Sequence, residues 1–211
     1  DQLNKDQMTY RCICSRKHIE ETLRANGAEL GRHEDLIYPG SCRNQNRQEE
    51  KAAIRVALPS SCVLQFKDRM KGVQSQDLTT QVGDFVLRRA DGLFTYQLAV
   101  VVDDHLQGIT HIVRGEDLLS NTARQLYLQQ ILGYQIPSYL HLPLVTNAAG
   151  EKLSKQTQAL EIDTSNTDAI LNSLRRAAIH LGLNDDRKEL DKTIHEWLLM
   201  KANQWRDCYL K

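Results

Sequence analysis

Apolar residues fall at every second position in Ala53–Leu58, where Ile54, Val56 and Leu58 alternate with polar or small neighbours, the period of a half-buried strand. Before it, Arg16–Ala25 reads as a helix among the loop signals Asn26-Gly27 and Tyr38-Pro39-Gly40-Ser41. From Asp84 to Val145 the texture changes. Phe85-Val86-Leu87 and Leu98-Ala99-Val100-Val101-Val102 are short apolar runs ending in charged residues, the pattern of strands buried on both faces. Ser120 or Asn121 is positioned to cap a helix running to Leu132, in which Leu128, Ile131 and Leu132 share one face and Gly133 supplies the stop. A strand is expected over Tyr139–Val145, then a turn at Asn147-Ala148-Ala149-Gly150. Thr167–Leu181, ended by Gly182, and Thr193–Ala202 read as amphipathic helices, with Trp197 and Trp205 as packing residues. The fold class that follows is α/β, with a helical segment at the C-terminal end.

Composition narrows this picture without deciding function. With 41% hydrophobic residues in 211, the chain has material for one well-packed core or two small ones. No apolar run reaches the roughly 18 residues of a membrane span, and Asp1–Tyr10 is polar and unlike a signal peptide, so a cytoplasmic protein is expected. Lys plus Arg and Asp plus Glu both number 27, so any RNA contact must come from a local patch. Asp103-Asp104 reads equally as a solvated turn.

Of five cysteines, Cys12, Cys14 and Cys42 crowd the beginning while Cys62 and Cys208 stand alone, an odd count that favours metal binding or reduced thiols over a disulfide framework. Cys12-Ile13-Cys14 and Tyr38-Pro39-Gly40-Ser41-Cys42 are two clusters that can each supply two ligands to one tetrahedral ion. Thiolate is the preferred ligand type of closed zinc sites, and the fourth ligand is Tyr38, His33 or a water. Lys152 and Lys155, with Ser154 between them, follow the last expected strand, where a polyphosphate is bound beyond the strand ends of an α/β sheet. Tyr96 and Arg114 are expected at strand edges, Arg114 suited to a two-pronged grip on a carboxylate and Tyr96 to orienting an amino or carboxyl group. Their bland alternatives are a core Tyr with its hydroxyl at the surface and an Arg paired with Glu116 or Asp117.

Four ordered segments resemble the glutamyl-tRNA synthetase family: Gly83–Asp104, Ile109–Leu118, His141-Leu142-Pro143-Leu144, and Lys152-Leu153-Ser154-Lys155-Gln156, a variant of its KMSKS loop. The likeness covers nearly the whole chain, loosely at both ends. Within the family, the form Gly92-Leu93-Phe94-Thr95-Tyr96-Gln97-Leu98-Ala99 looks most like the short branch that attaches glutamate to queuosine at the wobble position of tRNA(Asp). Only 55 residues follow Gln156, fewer than anticodon-binding domains need. The resemblance implies the second half of a Rossmann-like class I synthetase catalytic domain, with a zinc-bearing region and connecting insertion over 1–80, the catalytic half with the KMSKS-like loop over 81–160, and helices over 161–211. It implies zinc at Cys12, Cys14, Tyr38 and Cys42, glutamate contacts from Tyr96 and Arg114, ATP contacts from Lys152 and Lys155 with Lys155 as the catalytic charge, and magnesium accompanying ATP. The anticodon stem-loop of tRNA(Asp) is the implied RNA partner. Nothing in residues 1–211 matches the family's HIGH signature, so a fragment of a longer protein is expected. Two other readings are a truncated glutamyl-tRNA synthetase and a catalytically inactive zinc- or RNA-binding remnant.

Overall fold

The computed structural model describes residues 2–31, 36–153, 161–184 and 193–210. His33 and the loop residues Ser154, Lys155 and Gln156 lie outside the described residues. The chain forms α1 (Gln2–Lys5), β1 (Thr9–Cys12), α2 (Arg16–Ala25), β2 (Ala53–Val56), β3 (Val63–Asp68), β4 (Gly72–Asp77), α3 (Leu78–Gln81), β5 (Val86–Arg88) and α4 (Tyr96–Leu106). There follow β6 (His111–Gly115), a 3-10 turn (Glu116–Asn121), α5 (Thr122–Leu132), β7 (Ser138–Leu142), α6 (Thr167–His180) and α7 (Ile194–Tyr209). The architecture is mixed α/β. Among the described residues, no helix is long and apolar enough to cross a membrane.

Two sheets organise the strands, one in the order β1-β2-β5 and one in the order β4-β3-β7-β6. In the first, both pairings are antiparallel, with Arg11 opposite Ile54 and Ile54 opposite Arg88. In the second, β3 and β7 run parallel with Asp68 opposite Tyr139. The chain divides into two compact units, one of residues 1–67, 73–112 and 120–138, the other of 68–72, 113–119 and 139–211. The first has a core built on Val56, Leu58, Leu78, Leu87, Val101 and Leu128. In the second, Leu171, Ala178, Leu183 and Trp197 form a helical core, and a capping box of Thr193 and Glu196 starts α7.

Most expected elements are present, with altered ends: β2 stops at Val56, β7 runs from Ser138 to Leu142, and α7 continues to Tyr209. One expectation is overturned. Leu98–Val102 is not a strand but the middle of α4, and Tyr96 is therefore the first residue of a helix instead of a strand edge. A purely aliphatic run carries no period, and β-branched preference yields to context. Here the helix extends through Asp103, Asp104 and His105, reaching eleven residues and burying Val101 with Leu98 and Val100 against the core. The strands β1, β3 and β4 add to the expected set.

Candidate functional site

In the first unit, β1 ends at Cys12 and delivers Cys14 beside it, while the segment carrying Tyr38 and Cys42 returns to the same point. The three Sγ atoms lie within 4.8 Å of one another. Cys14 and Cys42 sulfurs are 3.5 Å apart, and the Tyr38 hydroxyl is 3.3 Å from Cys12 Sγ and 3.5 Å from Cys14 Sγ. A tetrahedral zinc with bonds of about 2.3 Å to sulfur and 2.0 Å to oxygen sets ligand separations of about 3.8 Å and 3.5 Å respectively. The donor set therefore fits zinc in both chemistry and spacing. Cys12, Tyr38 and Cys42 are buried.

Their acidities match that role. Burial pushes Cys42 up, but hydrogen bonds from the Ile13 backbone, the Tyr38 hydroxyl and the neighbouring thiols outweigh it and bring the thiol down to about 7. Burial pushes Cys14 up to about 11 and holds the Tyr38 phenol well above its ordinary value. One sulfur is thus ready to ionise, and a divalent cation supplies the charge that ionising the others requires.

Tyr38 is fixed from three sides. Its hydroxyl accepts a 2.9 Å bond from the Cys42 amide, the Arg55 guanidinium carbon sits 3.8 Å from its ring centroid, and its backbone bridges in parallel to Gly83. Arg55 Nη1 donates to the Asp84 carbonyl at 2.6 Å. The buried Asp84 carboxylate in turn accepts from the Leu58 amide at 2.8 Å and the Tyr10 hydroxyl at 2.7 Å. Asp84 and Arg55 tie the cysteine cluster to β2 and β5. Neither stood out in the sequence, because a lone Asp or Arg beside a strand gives no sign of which backbone it will hold.

Tyr96 is half-exposed and lines a cavity of about 440 Å³ in the same unit, together with Cys14, Tyr38, Arg55, Gln97 and Arg124. The Thr95 hydroxyl donates to the Val86 carbonyl at 2.9 Å and pins the start of α4 to β5. Asn121 Oδ1 accepts from Gln97 Nε2 at 2.6 Å and from Arg124 Nη1 at 2.9 Å, and Gln125 Nε2 donates to Gln97 Oε1 at 3.1 Å. This amide network, which holds the cavity residues Gln97 and Arg124, was not anticipated either.

Arg114 lies in the second unit, near the end of β6. Its Nε donates to His141 Nε2 at 3.0 Å, and its guanidinium carbon sits 5.3 Å from the Tyr139 ring centroid. His141 Nδ1 bonds Asp68 Oδ2 at 2.7 Å, and both side chains are completely buried. Burial and the Arg114 charge lower the His141 pKa against the opposing pull of Asp68, which keeps the imidazole neutral. Glu116 pairs with Lys71 and accepts the Leu144 amide, while Asp117 pairs with Lys152 at 2.6 Å. The hydrogen bond from Lys152 holds the Asp117 carboxyl below its usual range, and the Arg114 charge adds to the effect. Arg114 and Lys152 thus act on one shared carboxylate, that of Asp117 in the 3-10 turn, and Lys152 is itself held by its bridge to Thr146.

Comparison with known proteins fits this geometry. The family model for class I tRNA synthetases (E and Q), catalytic domain, matches residues 1–192. A protein of Cupriavidus metallidurans named glutamyl-Q tRNA(Asp) synthetase is 48% identical over 97% of this chain, which spans 63% of that relative. A protein of the same name from Burkholderia cenocepacia is 48% identical over 94% of this chain and 65% of its own length. The chain thus spans just under two thirds of the length of these curated relatives. Among solved structures, the glutamate-tRNA synthetase of Elizabethkingia anophelis aligns with a TM-score of 0.59 and 27% identity, covering 74% of this chain and 34% of that one.

Proposed function

From the premise that the chain belongs to the catalytic-domain family of class I tRNA synthetases for glutamate and glutamine, we propose that the full-length protein activates glutamate with ATP and transfers it to queuosine in tRNA(Asp). The observation that carries this reading is the near-half identity, over almost the whole chain, to relatives named for that reaction. In the first step a glutamate carboxylate oxygen attacks the α-phosphorus of ATP, the bond to the β-phosphate oxygen breaks, and pyrophosphate departs. The resulting acyl adenylate gives its glutamyl group to the RNA with release of AMP.

Each residue has a part in this scheme. Arg114 grips a carboxylate of glutamate and Tyr96 orients the amino acid through its hydroxyl. Lys152 and Lys155 face ATP, with Lys155 stabilising charge on the departing pyrophosphate; that assignment rests on its position in the KMSKS-like segment. Catalysis then comes from positioning and charge stabilisation, with no side-chain nucleophile. Magnesium enters with ATP, whose phosphates provide most of its anionic ligands. Zinc, held by Cys12, Cys14, Tyr38 and Cys42, supplies structural cross-linking of the first unit. The anticodon stem-loop of tRNA(Asp) is the RNA partner, and the cytoplasm the compartment.

The likeness to glutamate-tRNA synthetase structures favours a second reading, charging of tRNA(Glu) at its 3′ end. Both readings require glutamate activation, which ATP–pyrophosphate exchange measures. Exchange by the full-length protein should depend on glutamate and be far weaker with glutamine or aspartate; no glutamate-dependent exchange would sink both.

A further inference from the structure

The second unit contains an ordered chain of three side chains, two of them fully buried, that runs from the turn after β3 to the half-buried Arg114. Asp68 closes β3, and its Oδ1 accepts the amides of Met70 at 3.0 Å and Lys71 at 2.8 Å, capping the turn that leads to β4, and that of His141 at 3.3 Å. Its Oδ2 is left facing His141 Nδ1 at 2.7 Å. A carboxylate that only accepts forces the proton onto Nδ1, so Nε2 presents a lone pair. That lone pair receives Arg114 Nε–H at 3.0 Å, while Tyr139 lies beside both the guanidinium and, with ring centroids 6.1 Å apart, the imidazole.

We infer that His141, held in one tautomer by Asp68, is a positioning residue for the glutamate site: it fixes the plane of the Arg114 guanidinium so that its terminal nitrogens meet the substrate carboxylate pre-aligned. The inference rests on the reading of Arg114 as a glutamate contact. The physical reason is geometric. A guanidinium grips a carboxylate through a planar fork, and an arginine side chain on a strand end has several rotatable bonds that must be immobilised for the fork to be aimed. A bond at Nε fixes the plane without competing for the fork's far edge. Two fully buried groups, His141 and Asp68, form the support, and a buried polar pair is costly unless its bonds are complete.

Asp68→Asn tests this with one atom. The three backbone amides at Oδ1 require an oxygen there, so the new NH2 replaces Oδ2 and faces His141 Nδ1. The imidazole must then carry its proton on Nε2, pointing at Arg114 Nε–H, donor against donor. In the full-length protein the glutamate KM in ATP–pyrophosphate exchange should rise about tenfold or more, as expected for a misaimed binding group, with the ATP KM within about twofold of wild type. Nitrogen-15 shifts of the His141 ring should report the tautomer change directly. Should Asp68→Asn not accumulate as folded protein, His141→Asn and His141→Gln carry the test. The Asn amide keeps the Asp68 bond and cannot reach Arg114, whereas the Gln carbonyl can stand where Nε2 stood, so Gln should hold the glutamate KM nearer to wild type than Asn. A glutamate KM unchanged by Asp68→Asn, or equal in the Asn and Gln variants, would overturn the positioning role, as would a parallel rise in the ATP KM. Arg114→Ala distinguishes the two levels: if it too leaves the glutamate KM unchanged, the glutamate-site reading of Arg114 fails; if it alone raises it, only the role of His141 and Asp68 fails.

Discussion

Gly83 lies against Tyr38 so closely that a Cβ built on it would stand 2.8 Å from the Tyr38 carbonyl oxygen and 2.9 Å from its amide nitrogen. The glycine has φ +71°, a conformation that other residues enter at a cost of about 1 kcal/mol or more. This contact is what lets the cluster segment dock beside Asp84. Gly83→Ala should therefore lower the thermal midpoint of the full-length protein and weaken metal retention against a chelator, since both atoms the methyl meets are backbone and cannot turn aside. Unchanged retention and midpoint would mean that the Tyr38 segment is held in some other way.

Purified protein should contain about one zinc per chain, lost on replacing Cys12 or Cys42 with Ser. Structural zinc contributes roughly 10–16 kcal/mol in small peptide sites, so its release should also destabilise the first unit. Elemental analysis after reducing purification decides this. A stoichiometric disulfide among Cys12, Cys14 and Cys42, with no metal, would remove the site.

Arg114→Ala should raise the glutamate KM in exchange by roughly 10- to 150-fold, the equivalent of losing a charge-assisted hydrogen bond of about 1.5–3 kcal/mol. The ATP KM should change little. Arg114→Lys should rescue only in part, because an ammonium cannot reproduce a planar fork.

The buried His141–Asp68 pair makes stability depend on pH in a defined direction. The His141 pKa is lowered in the folded protein, so its contribution is complete above the unfolded value of about 6.5 and is lost as pH falls from there towards the folded value. Asp68 is also depressed: burial pushes its carboxyl up, but the bonds from His141 and the Lys71 and Met70 amides outweigh it. Its contribution is present above about 3.9 and is lost at lower pH. Thermal midpoints should thus fall from pH 6.5 to pH 5 more steeply in wild type than in His141→Gln. Parallel curves would mean that His141 titrates alike in both states.

How much of this was legible beforehand follows the physics of each signal. The Cys12, Cys14 and Cys42 set was readable because thiols two residues apart and a second cluster imply one ion; Tyr38 as the fourth member was implied by the family resemblance, spacing leaving it open with His33 or a water, and the structure brings these four side chains together. Helix α2 and the Gly133 stop of α5 were readable from punctuation. The Leu98–Val102 run was not, since an all-aliphatic stretch has no period and only the polar residues after it lengthen it into α4. The pairing of His141 with Asp68 was invisible for another reason: they are 73 positions apart, and only the parallel pairing of β3 with β7 makes them neighbours. Arg114 was singled out for a carboxylate, with Glu116 or Asp117 as the rival; the structure shows Glu116 on Lys71, Asp117 on Lys152 with the Arg114 charge acting on it too, and Arg114 Nε on a histidine.

Transfer of labelled glutamate by the full-length protein decides which RNA is the target. The substrates are queuosine-containing tRNA(Asp), the same tRNA without queuosine, the modified tRNA with its 3′-terminal ribose oxidised, and tRNA(Glu). Phosphate contacts should make the KM for RNA rise with salt, while the choice between modified and unmodified tRNA should persist, because the base itself carries that choice. The expected result is labelling of tRNA(Asp) that requires queuosine and survives 3′ oxidation; labelling of tRNA(Glu) that oxidation of its 3′ end abolishes would contradict it.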